Sequence, residues 1–292
     1  MVTPQIKAEE LAQAIGLEGD LYLKREDLHP YGSHKGRSIP KMLSKYAAEG
    51  WKSFVISSSG NAALAAAIVV KKLNLELSNK ILLAIYVGKD INNEKFDRIS
   101  IAIKDEKNIS IKQVTHPKHE AFLEDKLGKA KNLRQSTDDM ALKGYEELAG
   151  ELGEIKKICA IFIPTSSGTT AQGLYLGFEN LGLHPQIHIA QTDECHPIAD
   201  ASVPSSGSAS LADAIVDKIG HRKNAINDLM KKSNGRGWII SNEEILDAIT
   251  LVKRTENLDI SPNSALSVAG LKKAVQNGYS FDGPVVCLIT GL

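Results

Sequence analysis

Lys35 is the residue of this sequence whose placement most clearly suggests chemistry. It follows an apolar run at residues 21–24 and a Gly-Ser pair at residues 32–33. A lysine held just past such a tight turn can lose part of its hydration, which lowers its pKa and makes its amine a nucleophile toward an aldehyde. The position therefore predicts a Schiff-base lysine. For this segment by itself, a solvated loop lysine is the alternative.

Two further polar turns lie between predicted strands and predicted helices. Residues 57–61 read Ser-Ser-Ser-Gly-Asn, and residues 165–170 read Thr-Ser-Ser-Gly-Thr-Thr. Small residues at the positive end of a helix dipole let backbone N–H groups bind a carboxylate or a phosphate. The second turn is the better phosphate site, whereas a simple helix N-cap is the alternative for the first.

The second turn carries no nucleotide motif. A dinucleotide site would need Gly-x-Gly-x-x-Gly, and a nucleoside triphosphate site would need Gly-Lys followed by Ser or Thr. Residues 165–170 match neither pattern. Phosphate binding without a nucleotide motif indicates a cofactor with a single phosphate monoester.

The composition is that of a globular protein with a small-molecule partner. The 292 residues include 35 basic and 35 acidic side chains. The chain therefore lacks the excess of positive charge that is typical of nucleic-acid-binding proteins. Three cysteines are too scattered for a disulfide framework or a metal site. There is no apolar segment of about 20 residues that would cross a membrane, and the start shows no secretory signal. We expect a cytoplasmic protein without a metal.

Strand-like and helix-like segments alternate along the chain, which predicts right-handed βαβ units. We expect an α/β fold of two open, twisted, mostly parallel-sheet lobes. Residues 1–36 and 151–292 would form a large domain, and residues 37–150 a smaller, mobile one. Helices are predicted over residues 4–16, 39–50 and 120–133. His196, His221 and Arg222 have no partners at a useful spacing, so we expect them at the surface.

Five elements in order resemble the fold-type II pyridoxal-phosphate (PLP) enzymes. This group contains threonine synthase, serine and threonine dehydratases, cysteine synthase and the tryptophan synthase β-subunit. The elements are the Lys35 segment, residues 57–61, residues 165–170, the helix start at residues 261–264, and Leu-Ile-Thr-Gly at residues 288–291. The sequences of these elements are most similar to those of threonine synthases. Gly36, however, replaces the Asp that usually follows the lysine in threonine synthases and cysteine synthases.

The resemblance implies a role for four of these elements and places the fifth, the helix start at residues 261–264, close to the cofactor. Lys35 would form the Schiff base and move protons, with the cofactor between two lobes. The implied cofactor-binding residues are Asn61, Ser166, Ser167, Gly168, Thr169, Thr170 and Thr290. The implied ligands of the substrate carboxylate are Ser58, Ser59 and Gly60. Within these sets, Asn61 would lie beside the ring hydroxyl and Thr290 would bind the pyridine nitrogen.

The resemblance also implies a function. The chain would be a PLP-dependent lyase or synthase that acts on a small amino acid by β/γ-elimination or replacement, like threonine synthase. Alternatives are a serine/threonine dehydratase and, from another class, a non-catalytic homologue that binds PLP or an amino acid. A homodimer is the habit of the family. Arg134, Thr137 and Asp138 are candidate substrate contacts, with a solvated connector as the alternative.

Overall fold

The computed structural model describes residues 2–78 and 80–291. The chain forms two compact units. Residues up to His29, together with those from Tyr145 onward, make the first unit, and Pro30–Gly144 makes the second. Lys35 therefore belongs to the second unit. The domain limits predicted from the sequence stay a prediction.

The elements of the described residues are named in chain order. The strands are β1 (Gln5–Lys7), β2 (Leu21–Arg25), β3 (Ser53–Ser57), β4 (Leu82–Gly88), β5 (Ile109–Val114), β6 (Lys131–Asn132), β7 (Ala160–Pro164), β8 (Gln186–Thr192), β9 (Gly237–Ile240) and β10 (Val285–Ile289). The helices are α1 (Glu9–Ile15), α2 (Lys35–Ala48), α3 (Asn61–Glu76), α4 (Asn93–Ala102), α5 (Pro117–Lys126), α6 (Met140–Lys143), α7 (Tyr145–Gly153), α8 (Thr169–Asn180), α9 (Lys223–Lys232), α10 (Asn242–Glu256) and α11 (Pro262–Gln276). A 3₁₀ turn covers Glu26–Leu28.

The first unit is built on a six-stranded sheet with the order β1-β2-β10-β7-β8-β9. β1 runs antiparallel to β2, and the other neighbouring pairs are parallel. Every residue of β7 and of β10 is buried, as expected of central parallel strands covered on both faces. Since β7 and β10 are neighbours, the turns that follow them leave the sheet at the same edge.

The second unit is built on a four-stranded parallel sheet with the order β5-β4-β3-β6. Its core joins the inward side chains of β3 and β4 to α2 and α3, with Ile39, Phe54 and Val70 among the buried residues. The two sheets confirm the predicted α/β class with mostly parallel strands.

Three predicted helices were wrong in their limits. The predicted helix over residues 4–16 begins only at Glu9, because Gln5–Lys7 pairs with β2 as an edge strand. α2 begins at Lys35 rather than at residue 39, although Pro40 lies inside it. The predicted helix over residues 120–133 is α5, and the end of that range forms β6 instead.

Two side chains expected at the surface are buried. His196 is 5% exposed, and its ring nitrogens lie 3.0 and 2.9 Å from the carbonyl oxygens of Thr192 and Val203. Arg222 is 8% exposed and donates to Oε1 of Gln172 at 2.9 Å. These partners come from local loop geometry and from α8, which spacing along the sequence does not reveal. His221 is exposed, as expected.

Within the described residues, no helix has both the length and the apolar character needed to span a membrane.

Candidate cofactor site

Residues 165–168, here called the phosphate loop, connect the end of β7 to the start of α8. Gly168 is the N-cap of α8 and has a φ of +92°. A Cβ atom built on Gly168 would lie 2.6 Å from Cγ1 of Ile226, so only glycine fits there. The loop therefore passes close to α9 and turns sharply into the helix.

The phosphate loop fits a phosphate group. α8 is 12 residues long, and its N-terminus supplies partial positive charge and backbone N–H donors. The hydroxyl oxygens of Ser167 and Thr169 lie 3.0 Å apart, at the start of this helix. Thr169 and Thr170 are buried, so an anion at this helix end would be partly shielded from water. A monoester phosphate has the charge and the acceptor oxygens that this loop can bind.

The hydroxyl of Ser166 is held by a neighbouring loop. Its oxygen accepts the backbone N–H groups of Val216 and Asp217 at 3.3 and 3.2 Å. Because these bonds use only lone pairs, the hydroxyl proton stays available to donate to a phosphate oxygen.

Thr290 lies at the end of β10, beside the N-terminus of α11. Its hydroxyl oxygen lies 3.4 Å from that of Ser264, which also accepts the backbone N–H groups of Thr290 and Gly291 at 3.1 and 3.3 Å. Thr290 is 4% exposed. The first unit thus brings Thr290 and the phosphate loop to one edge of its sheet, through the pairing of β10 with β7.

Lys35 is the first residue of α2 in the second unit. Burial lowers the pKa of its amine from 10.5 to about 8. The positive end of a helix also disfavours an added cation, so the position acts in the same direction. The lysine is half-buried rather than solvated, and its neutral, nucleophilic form is accessible near neutral pH. The lowered pKa is the one expected from the sequence, and the Schiff-base role of Lys35 stays a prediction.

The turn before Lys35 lies next to the first turn of α3. A Cβ atom on Gly32, whose φ is +82°, would lie 3.1 Å from Cδ2 of Leu64. Arg98 from α4 approaches the same turn and donates to Oδ1 of Asn61 at 3.3 Å. Lys35 and Asn61 are therefore carried by adjacent turns of the second unit.

Ser58, Ser59 and Gly60 form a half-buried turn after β3. The N–H of Gly60 donates to the hydroxyl oxygen of Ser58 at 3.2 Å. That bond orders the turn and occupies one of the donors expected to bind a carboxylate.

Asp138 has structural partners in the second unit. Its carboxylate accepts the Tyr46 hydroxyl at 2.5 Å and the backbone N–H of Met140 at 2.9 Å. Desolvation and the Asp138 carboxylate raise the pKa of Tyr46. Arg134 donates to the hydroxyl of Ser136 at 3.2 Å. These bonds favour the connector interpretation of residues 134–138.

A family model described as pyridoxal-phosphate dependent enzyme matches residues 1–291. The chain belongs to this family. The threonine synthase of Methanosarcina acetivorans is 27% identical over 313 residues, covering 99% of this chain and 74% of the relative. The threonine synthase of Mycobacterium bovis is 29% identical over 305 residues, covering 99% and 80%. The solved structure of the processed form of threonine deaminase isoform 2 from Solanum lycopersicum has a TM-score of 0.80 and 21% identity, covering 99% and 78%.

Membership of the pyridoxal-phosphate dependent enzymes confirms three predictions made from the sequence: the family, the fold class and the cofactor. At 21% identity the deaminase structure supports the fold alone.

Sequence reasoning assigned no individual role to two residues of this pyridoxal-phosphate dependent enzyme, although one of them, Ser264, lies in the predicted helix start at residues 261–264. Gln191 is fully buried in β8 and contacts the phosphate loop. Ser264 is fully buried at the start of α11 and holds Thr290. A signal was present for Gln191, because a polar side chain inside an apolar strand must find partners. For Ser264, the local sequence does not indicate that its hydroxyl would bond to Thr290 at the end of β10.

Proposed function

We propose that this pyridoxal-phosphate dependent enzyme is a lyase or synthase acting on a small amino acid. The reaction would be an elimination or a replacement at the β or γ carbon, in the manner of threonine synthase. The proposal is carried by Lys35, whose burial lowers its pKa to about 8. Two relatives at 27% and 29% identity that carry the name threonine synthase support this choice.

Lys35 would bind the aldehyde carbon of the cofactor and would later move a proton at its own Nζ. A pKa near 8 suits both tasks, because the amine can give and take a proton close to neutral pH. Bound pyridoxal phosphate supplies an aldehyde that joins amines and a ring that withdraws electrons from the neighbouring carbon.

The first unit would hold the cofactor by its phosphate and by its ring nitrogen. The proposed phosphate ligands are Ser166, Ser167, Gly168, Thr169 and Thr170, which lie at the N-terminus of α8. Thr290 would bind the ring nitrogen. A hydroxyl is neutral, so it leaves that nitrogen unprotonated and limits electron withdrawal, which favours elimination or replacement over transamination.

The turn after β3 would orient the substrate. Ser58, Ser59 and Gly60 would bind its carboxylate, since hydroxyl and backbone N–H groups lie there at a helix start. Asn61 would contact the ring of the cofactor, and its amide oxygen already accepts from Arg98.

The deciding experiment is a screen of amino acids against the wild type and the Lys35→Ala variant. Substrates should include serine, threonine and amino acids with a phosphate ester on the γ carbon. Visible absorbance reports cofactor binding, while phosphate, ammonia and 2-oxo acid report turnover. Lys45→Ala is the matched control, because Lys45 lies on the same helix and forms a surface ion pair with Glu49.

We expect wild type and Lys45→Ala to show the absorbance of bound cofactor and to release phosphate without a 2-oxo acid. Lys35→Ala should show neither the wild-type absorbance nor any product. Ammonia and a 2-oxo acid from serine or threonine would favour the dehydratase instead. A spectral change with no product would favour the non-catalytic homologue. The homodimer and the cytoplasmic location stay predictions, and light scattering of the purified protein tests the first.

A further inference from the structure

Gln191 connects the phosphate loop to the chain that follows β8. Its side-chain nitrogen donates to the backbone carbonyl oxygens of Thr165 and Ser166 at 3.1 and 3.4 Å. Its side-chain oxygen accepts the backbone N–H groups of Ile198 and Ala199 at 2.9 and 2.8 Å. Gln191 is 0% exposed, and its bonds to Thr165 and Ile198 are fully buried while those to Ser166 and Ala199 are partly buried. Buried hydrogen bonds are strong and costly to lose.

These bonds determine which way the peptide units of the phosphate loop face. In a trans peptide the C=O and the following N–H point in opposite directions. Since the carbonyls of Thr165 and Ser166 point at the Gln191 amide, the N–H groups of Ser166 and Ser167 must point away from it. The loop thereby offers donors on its other side, and keeps two carbonyl oxygens from facing and repelling an anion.

We infer that Gln191 is a positioning residue for the phosphate group of the cofactor. It acts through the phosphate loop and does not touch the phosphate. This inference rests on the proposed function, in which residues 166–170 bind that phosphate. A neutral amide suits the role because it donates two protons and accepts two with one planar group.

The chain offers a matched pair of substitutions. Gln191→Glu keeps the acceptor for Ile198 and Ala199 but replaces the donating nitrogen with an oxygen that faces two carbonyls. Gln186→Glu makes the same change at the other end of β8, where the side-chain oxygen of Gln186 contacts only the ring of His188 in the described structure. Gln191→Asn is a milder second variant, because it keeps the amide and shortens its reach by one methylene.

The experiment compares ligands with and without a phosphate. PLP and pyridoxal, which lacks the phosphate, are titrated into the apo-protein, and inorganic phosphate is tested by the shift it causes in the thermal unfolding midpoint. We expect Gln191→Glu to weaken PLP binding by about tenfold or more, from the loss of buried hydrogen bonds to the loop. Pyridoxal binding should stay close to that of the wild type, and the phosphate-induced shift should disappear. Gln186→Glu should still bind PLP more tightly than pyridoxal, and inorganic phosphate should still raise its thermal unfolding midpoint.

Equal weakening of PLP and pyridoxal binding by Gln191→Glu would overturn the inference, since it would indicate a general structural role. PLP and pyridoxal affinities in Gln191→Glu that both equal those of the wild type would overturn it as well. If Gln191→Glu does not fold, the same comparison is made with Gln191→Asn. In that variant we expect the affinity for PLP to fall relative to the affinity for pyridoxal. A wild type that binds both ligands equally would instead refute the proposed phosphate site itself.

Discussion

The hydroxyl oxygen of Ser264 lies 3.4 Å from that of Thr290 and joins the start of α11 to the end of β10. The same oxygen accepts the N–H groups of Thr290 and Gly291 and donates to the carbonyl of Gly291 at 2.9 Å. Ser264 is 0% exposed. One buried hydroxyl therefore fixes the backbone that carries Thr290.

Replacing Ser264 by Ala should loosen this end of β10. Two buried N–H groups would lose their partner, while the Gly291 carbonyl keeps the Ser261 hydroxyl. We expect a loss of about 1–3 kcal/mol in the free energy of unfolding. Denaturant titration measures that loss, and hydrogen exchange at Thr290 and Gly291 should become faster. Ser267→Ala is the control, since Ser267 is equally buried on α11 and its hydroxyl donates to the carbonyl of Ser264 within the same helix. Exchange that quickens equally in both variants would contradict this account.

The lowered pKa of Lys35 predicts a pH dependence of its reactivity. An ordinary lysine loses its proton near pH 10.4, whereas the amine of Lys35 should do so near pH 8. Labelling of the apo-protein with an amine-reactive reagent, followed by mass spectrometry, should show Lys35 reacting with a midpoint near pH 8. Exposed lysines in the same digest serve as the internal reference. A midpoint for Lys35 that coincides with theirs would contradict the predicted desolvation.

Gly168→Ala should damage the phosphate loop. The new Cβ would meet Cγ1 of Ile226 at 2.6 Å, and the φ of +92° is strained for alanine. We expect a loss of about 1–3 kcal/mol in stability and a weaker affinity for PLP. Gly182→Ala is the control, because Gly182 has a φ of +67° with nothing within 4 Å of its Cβ position. That variant should lose stability from backbone strain alone and should keep its PLP affinity. If both variants bind PLP equally well, the loop geometry is not limiting.

His188 should make the first unit sensitive to acid. Its ring stacks on Phe162 with centroids 4.5 Å apart and accepts from Nε1 of Trp238 at 3.2 Å. Burial lowers its pKa from 6.5 to about 3. Above pH 6.5 the ring is neutral in both folded and unfolded chains. Between pH 6.5 and 3 only the unfolded chain gains the proton, so the contribution to stability falls by about 1.4 kcal/mol per pH unit.

Unfolding titrations at several pH values below 6.5 test this slope. His188→Phe keeps an aromatic ring against Phe162 but cannot be protonated, so its stability should depend less on pH in that range. His184→Gln is the control, since His184 is exposed and pairs with Glu179 at the surface. Equal slopes in wild type and His188→Phe would rule out His188 as the source.

Local patterns were enough to predict much of the fold and of the candidate site. The turn at residues 165–168 was recognisable because a glycine and hydroxyl side chains between an apolar strand and a helix restrict the backbone locally. The limits of α2 were not predictable in the same way. Gly36 and Pro40 argue against a helix in their own neighbourhood, yet α2 begins at Lys35. A Cβ on Gly144 would lie 2.2 Å from the carbonyl oxygen of Arg37. The first turn of α2 therefore packs tightly against a residue more than 100 positions away, which the local sequence does not reveal.

The sequence by itself determined which chemical groups this protein presents and in what order, because strand periodicity, turn residues and helix starts depend on neighbours along the chain. Only the tertiary structure decided how those groups are held. The bonds from Gln191 to the phosphate loop and from Ser264 to Thr290 join residues 25 or more positions apart. Such partners are chosen by the stacking of strands and helices, where a buried polar atom must satisfy its hydrogen bonds with whatever element lies beside it.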